Sequence, residues 1–384
     1  MRGRGIGNGA LMALEGFESA RREPARHDSG AGNHEAVLRR LSDLALLPSA
    51  LISPQERSVL DTVLALNVAR LGEPLRTRLA ERLASQAEAP RELALALALD
   101  TIGVARPLLA EGLMLKDGDL IHIAREGGPE HRAALASRKG APSALADVLI
   151  EIGDTALVSR LLANRTAELS FRAIETLTRR SAAEPELQPL ILARPELTVR
   201  LAQLMFWWVP SMMRLEILNR FTVERQHIHS AMDEFLDEST GAHGDMALET
   251  ALSLVRRPAP AGKQRLAGIL GRPSPRSMDE LADDFAIESA LRPETMFRIL
   301  NDHGGETLAV FAKAKGLNRS EFGDLIVAAV DARKNGLPTK DDLERIGRLF
   351  DTISTDRADL ALHCWDAAFA SEVQISSAMD SDEV

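Results

Sequence analysis

The stretch LASRKGAPSALADVLIEIGDTALVSRLLANRTAEL, residues 135–169, decides the fold. After Pro142 the apolar side chains Leu145, Val148, Leu149 and Ile152 fall at spacings of three, one and three, one face of a helix. Gly153 and Asp154 break the pattern, and Asp154 is an N-cap for the segment that follows. In that segment Leu157, Val158, Leu161 and Leu162 again lie on one side. The stretch therefore predicts two short antiparallel helices. One such pair cannot bury its own apolar stripe, whereas stacked copies can.

Copies are present. Leu-Ala recurs at Leu83-Ala84, Leu109-Ala110, Leu135-Ala136, Leu162-Ala163 and Leu192-Ala193, at spacings of 26, 26, 27 and 30 residues. The flanks agree too: LASQAEAPREL (83–93) and LASRKGAPSAL (135–145) share six of eleven positions. Pro90 and Pro142 read as first helical residues, where a missing N–H is harmless. These features predict an all-α chain of short helical hairpins stacked as an α-solenoid over 83–222, followed by a smaller C-terminal helical unit.

The remaining segments read as follows. Residues 1–33, rich in Gly, Arg and Glu, are expected to be disordered. Residues 34–82 are expected to cap the first repeat, with Ser53 as N-cap and Pro54 in the first turn of a helix that ends near Gly72. Residues 223–276 hold helices and a Pro/Gly-rich connection. Residues 277–370 read as four or five short helices with capping boxes at Ser277/Glu280 and Asn318/Glu321, a looser one at Thr339/Asp342, and C-terminal glycines Gly316 and Gly336. The acidic tail 371–384 is expected to be disordered.

LASRKGAPSALADVLIEIGDTALVSRLLANRTAELSFRAIETL, followed by LARPELTVRLAQLMFWWV and, later, RILNDHGGETLAVFAKAKGLNRSEFGDLI (298–326), resembles the alphaproteobacterial family called domain of unknown function 2336. The short repeat is also similar to leucine-rich-repeat-variant and HEAT-like units. The resemblance covers roughly 35–330 and is most specific over 120–220. It implies an all-helical repeat protein from an alphaproteobacterium and carries over no catalytic residue. Some leucine-rich-variant proteins hold an iron–sulfur cluster on N-terminal cysteines; this chain has no cysteine there.

Composition narrows the function. The single cysteine, Cys364, excludes an intrachain disulfide and Cys-rich zinc sites. No apolar run spans a membrane, and ALMAL near the N-terminus is too short for a signal-peptide core, so a cytoplasmic location is expected. Residues 73–200 hold 17 basic and 18 acidic side chains, and residues 223–384 hold 18 and 29. Neutral repeats and an acidic second half argue against nucleic acid. Arginines outnumber lysines 39 to 7, which fits a GC-rich genome better than phosphate recognition.

Candidate chemistry is sparse. His227 and His229 sit in a helical pattern that points them apart, so metal ligation is not expected there. The single His-Glu pair, His34-Glu35, excludes HEAT-like metal hydroxylases, which repeat such pairs. Cys364 and His363 are adjacent on a helix and diverge, so a buried structural cysteine is expected. In NDHGGETL (301–308), His303, Gly304 and Gly305 precede a helix whose free N–H groups could bind an anion. No Lys or Ser/Thr of a phosphate loop accompanies them. No metal and no cofactor is expected.

LAQLMFWWVPSMMR (201–214) holds two of the three tryptophans. Read as one helix from Leu197 to Val209, it places Leu201, Leu204, Met205 and Trp208 inward, with Phe206 and Val209 on a second stripe. That is a core where the repeats meet the C-terminal unit. Trp207, one turn from Gln203 and Ser211, faces the polar side, so a buried Trp208 beside an exposed Trp207 is expected. Ser211 reads as the next N-cap, with Met212, Leu215, Leu218 and Phe221 as the following stripe. Trp207, Gln203, Arg138 and Arg165 are the candidate partner-contacting residues.

The expected function is a non-catalytic protein–protein interaction scaffold or regulatory adaptor, whose partner is another protein. The alternative is a ligand-sensing module for a small anion or nucleotide. An enzyme or a nucleic-acid binder fits the sequence less well.

Overall fold

The computed structural model describes residues 53–222, 263–271, 277–333 and 338–381, with isolated helical positions between 36 and 44. The expectations for 1–33, His34-Glu35, Gly336, His227 and His229 lie outside these residues, as does most of 223–276. The described residues form nineteen α-helices and no strand, so the chain is all-α as predicted. It divides into two compact units, residues 1–168 and 169–384; the division falls inside the stretch expected to be one run of repeats.

The first unit holds α1 (Pro54–Asn67), α2 (Glu73–Ala84), α3 (Arg91–Ala98), α4 (Ile102–Glu111), α5 (Asp117–Glu126), α6 (Pro129–Ala136), α7 (Ser143–Ile152) and α8 (Thr155–Ala163). Helix starts follow local chemistry. Ser53 and Glu56 form a reciprocal capping box on α1. The Asp154 carboxylate accepts from the Leu157 N–H at 2.8 Å to open α8. Pro90 and Pro142 sit one residue earlier than expected, as N-caps with extended ψ of 117° and 154°. Proline at the cap leaves the first helical N–H groups to other acceptors, and for α3 these come from the preceding pair. Asp61 on α1 accepts from the N–H groups of Glu92 and Leu93 at 3.0 and 2.8 Å.

Each helix here packs against the helix after next: α1 on α3, α2 on α4, and so on to α6 on α8. The Leu-Ala dipeptides mark the last turn of the second helix of each pair, at the ends of α2, α4, α6 and α8. Their leucines are fully buried. Side-chain bonds then cross from one pair to the next at about the sequence period. The Arg138 guanidinium, just after α6, donates to the carbonyls of Leu108, Leu109 and Gly112 at 3.2, 2.9 and 2.7 Å. It thereby satisfies the open C-terminal carbonyls of α4. One pair later, the Asn164 amide donates to the carbonyls of Ala136 and Arg138 at 3.0 and 2.7 Å. Arg91 bridges to Asp119 with two bonds of 3.0 and 2.6 Å, and Gly140 N–H, at a φ of +66°, donates to Thr166 Oγ1.

The second unit holds α9 (Phe171–Arg180), α10 (Gln188–Leu192), α11 (Val199–Met205), α12 (Ser211–Arg220), α13 (Lys263–Leu270), α14 (Met278–Ser289), α15 (Pro293–Asn301), α16 (Glu306–Ala314), α17 (Arg319–Arg333), α18 (Lys340–Thr352) and α19 (Thr355–Ser381). The three expected capping boxes are present, and Gly316 takes the left-handed conformation at φ +70°. The last helix runs through residues expected to form a disordered tail, as far as Ser381. At the centre lies α16, ETLAVFAKA, apolar on nearly every side. It packs against α15, α17, α18 and α19, which is why all-round hydrophobicity suits it.

The tryptophan segment differs from its expected geometry. Helix α11 stops at Met205 instead of running to Val209. Beyond it, the N–H groups of Trp207 and Trp208 reach back only three residues, to the carbonyls of Leu204 and Met205. That tighter winding advances each side chain further around the axis than an α-helix does. The predicted contrast is lost, and both Trp207 and Trp208 are half-buried. The Trp208 indole N–H donates to Ser181 Oγ at 3.0 Å. Helix α12 begins at Ser211 with Pro210 before it, so Ser211 is not its cap. Its buried positions are Ile217 and Leu218, with Phe221 just beyond, while Met212 is 79% exposed. Leu201, Leu204, Met205, Phe206 and Val209 are buried, and α11 packs on α9 and α19, all three helices lying within the second unit and not at a seam between two.

Candidate functional site

The turn between α15 and α16, Asp302-His303-Gly304-Gly305, is the most chemically dense part of the described residues. Helix α15 ends at Asn301, and Gly305 is the N-cap of α16 at φ +78°. A Cβ on Gly305 would come within 2.5 Å of Ile346 Cδ1, and one on Gly304 would strike the Glu306 carboxylate and lie 2.8 Å from Arg214 Nη1. Both glycines are thus demanded by packing, and Gly305 also by its backbone conformation.

The N–H groups predicted to be open to an anion are not open. The Asp302 carboxylate accepts from the N–H groups of Gly304, Gly305 and Thr307 at 3.4, 3.1 and 3.5 Å, and from Thr307 Oγ1 at 3.0 Å. The chain supplies its own anion to this helix start, as the macrodipole favours. That corrects the reading of His303, Gly304 and Gly305 as a bare backbone anion cradle.

Around this turn a charge network joins four elements. Arg214 of α12 contacts both Asp302 oxygens at 2.9 and 3.0 Å and Glu306 Oε2 at 3.0 Å. Glu306, fully buried, accepts from Arg345 Nε of α18 at 2.9 Å. Arg345 continues to Asp342 at 2.8 Å and to the Gly304 carbonyl at 3.3 Å. Arg333, at the end of α17, donates to the Asp302 carbonyl at 2.8 Å. Burial pushes the Arg333 guanidinium down, partly offset by Asp302. The Thr339 hydroxyl and then Arg345 hold the Asp342 carboxyl below its usual range. A buried carboxylate gripped by two guanidiniums is structurally strong only while the whole set is intact.

Part of this network lines an open groove of about 410 Å³, to which Trp207, Val209, Pro210, Arg214, Arg298 and Asp302 contribute together with His303 and Gly304. The Trp207 ring meets Trp365 edge-on at 5.3 Å and Phe206 at 6.3 Å, and the Arg214 guanidinium lies over the Phe206 ring at 5.1 Å.

The other candidate residues are scattered. Gln203 is 1% exposed, and its Oε1 accepts from the Trp365 indole at 3.0 Å. The helical wheel marked Gln203 as polar-facing, but Trp365 of α19 covers that face and its N–H requires an acceptor. Gln203 is therefore an internal ligand of Trp365 and not a partner contact. Arg138 is committed to the α4 carbonyls, and Arg165 is exposed in the other unit. Cys364 is half-buried and burial pushes its thiol up, while His363 is exposed. Among the described residues no three His, Cys, Asp or Glu side chains are grouped to hold a metal ion. No described helix is long and apolar enough to cross a membrane. Sequence reasoning missed Arg214, Glu306, Arg345 and Trp365. Glu306 gave no distinct signal, since an acid in the first turn and Lys313 in the last are what the macrodipole of any helix favours.

This site and the all-helical architecture define a protein of packed short helices with an internally neutralised charge cluster. The chain belongs to the bacterial family described as uncharacterised protein conserved in bacteria, DUF2336, matched over residues 104–363. The match starts later than the resemblance suggested and extends through α18 into α19. No curated protein and no solved structure matches the chain.

Proposed function

We propose that the chain is a non-catalytic protein-interaction scaffold, its first unit a stack of helical hairpins that presents a broad surface to a protein partner. The observation that carries this is the ladder of bonds one repeat period apart: Asp61 to α3, Arg91 to Asp119, Arg138 to the end of α4, and Asn164 to the end of α6. A chain that ties each pair to the next with side chains gains an extended rigid surface and needs no enclosed pocket. The polar chemistry of the second unit supports the same reading. Asp302, Glu306, Arg214 and Arg345 spend their charges on one another. In this reading the chain works in the cytoplasm.

The test is affinity purification of the full tagged chain from the cells that express it, with crosslinking and mass spectrometry. The expected result is one defined protein recovered in stoichiometric amount. Recovery of nothing above background, together with a melting shift from a panel of nucleotides, would replace the scaffold with the ligand-sensing alternative.

A further inference from the structure

Helix α1 departs from the rule that closes a stack of repeats. In the first unit each helix lies on the helix after next, so α1, α3, α5 and α7 form one row, of which α1 is the first described helix. An end helix of such a stack needs a polar outer face to stay soluble. The inner side of α1 carries the buried Leu64, and Asp61, whose carboxylate holds the start of α3. The far side carries Val59, Val63 and Leu66, at spacings of four and three, one stripe of a helix. Val59 is 64% and Leu66 77% exposed, with Val63 exposed between them. Asp43, ahead of α1 in the chain, pairs with Arg82 of α2, in the other row.

We propose that this stripe is a dimer face, covered by α1 of a second copy of the chain that runs antiparallel across a two-fold axis at Val63. A two-fold contact uses the same patch on both subunits, so the patch must match itself. This one does, because it is almost symmetric about Val63, which lies four residues after Val59 and three before Leu66. With the helices antiparallel, Val63 meets its own counterpart and Val59 meets Leu66 of the partner subunit. Glu56, one turn ahead of Val59 on the same face, sets the direction. Its carboxylate is bonded to the uncharged Ser53, so its charge is intact. Parallel helices would bring two Glu56 carboxylates side by side, where they repel. Antiparallel helices hold them roughly 20 Å apart. One helix pair is small beside the roughly 1,200 Å² that stable interfaces bury. The dimer therefore forms and parts with concentration, and each dimer presents the repeat surface twice.

The test is sedimentation of the full chain from micromolar to near-millimolar concentration. A monomer–dimer equilibrium is expected. Val63→Glu should weaken it at least tenfold with an unchanged melting temperature. Ile287→Glu, at an exposed apolar position of the second unit, should leave it intact. Thiol pairing then reads the direction, in a Cys364→Ser chain so that only introduced thiols react. Val63→Cys should crosslink to itself under mild oxidation, and Val59→Cys should not, whereas Val59→Cys combined with Leu66→Cys should. The proposal is overturned if the chain is a monomer throughout, if the two glutamate variants act alike, or if Val59→Cys crosslinks as readily as Val63→Cys. A monomer whose amides around Val63 resist hydrogen exchange would give the stripe to another part of the same chain. Loss of a recovered protein partner on Val63→Glu, with no self-association to lose, would give it to a different protein. Each of these two results also overturns the dimer. The scaffold reading stands or falls on partner recovery, so the two fail separately.

Discussion

Glu306 joins α12 to α18 through a buried carboxylate. It sits fully buried between Arg214 and Arg345. Removing the acid leaves two guanidiniums facing each other with their shared counter-charge gone. Glu306→Ala should destabilise the unit by about 3 kcal/mol or more in urea denaturation. The glycines give a graded comparison at the same scale. Gly140 and Gly305 both have positive φ, but only Gly305 has a neighbour within reach of a Cβ. Gly140→Ala should therefore show the backbone penalty alone, roughly 1 kcal/mol, and Gly305→Ala clearly more, because Ile346 must move. Equal effects would show that the turn relaxes around the methyl group. None of the Glu306 contacts was legible in the sequence: its partners are 92 residues before it and 39 after it. Gln203 was misread for the same reason. A helical wheel reports the face, and only the fold brings Trp365 over it.

At the scale of elements, the sequence was far more informative, because caps and repeats are local. Asp154, Ser53, Ser277, Asn318 and Thr339 all cap as their spacing predicts. The Leu-Ala dipeptide that marks the repeat falls in the last turn of α2, α4, α6 and α8. Leu135 is fully buried and Leu113 is 64% exposed. Leu135→Ala should accordingly cost about 2–5 kcal/mol, and Leu113→Ala within about 0.5 kcal/mol, by thermal or denaturant unfolding. Arg138→Ala removes the donor that reaches the Leu109 and Gly112 carbonyls at the end of α4, while Leu108 keeps its bond from the Gly112 N–H, a loss of about 1–2 kcal/mol. Arg138→Lys should recover only part of it, since one ammonium cannot span the carbonyls a guanidinium reaches. The tryptophan segment was misread at this scale because periodicity assumes uniform winding, and the chain tightens after Met205.

The bridge from Arg91 to Asp119 adds a pH dependence to the first unit. Bonds from Arg91, partly opposed by burial, hold the Asp119 carboxyl below its ordinary value. A depressed folded value means the stabilisation is present above the unfolded value near pH 3.9 and is lost as pH falls through the folded one. The stability gap between the native chain and Asp119→Asn should be constant near neutrality and shrink below about pH 4. A gap that instead widens under acid would show that Asp119 is protonated in the folded chain.

For the whole molecule, the all-helical class and the family were legible from patterns within a few tens of residues. The functional surface was not. Binding surfaces are set by which side chains remain outside after packing, and here packing removed Gln203, committed Arg138 and filled the expected anion site with Asp302. The account's central claim is that this protein binds another protein without altering it. The most direct measurement is the intact mass of the partner recovered in stoichiometric complex with the full chain. The account predicts a defined complex whose partner has an unchanged mass after prolonged incubation with the chain. Failure to form a complex, or a partner whose mass the chain changes, would contradict it.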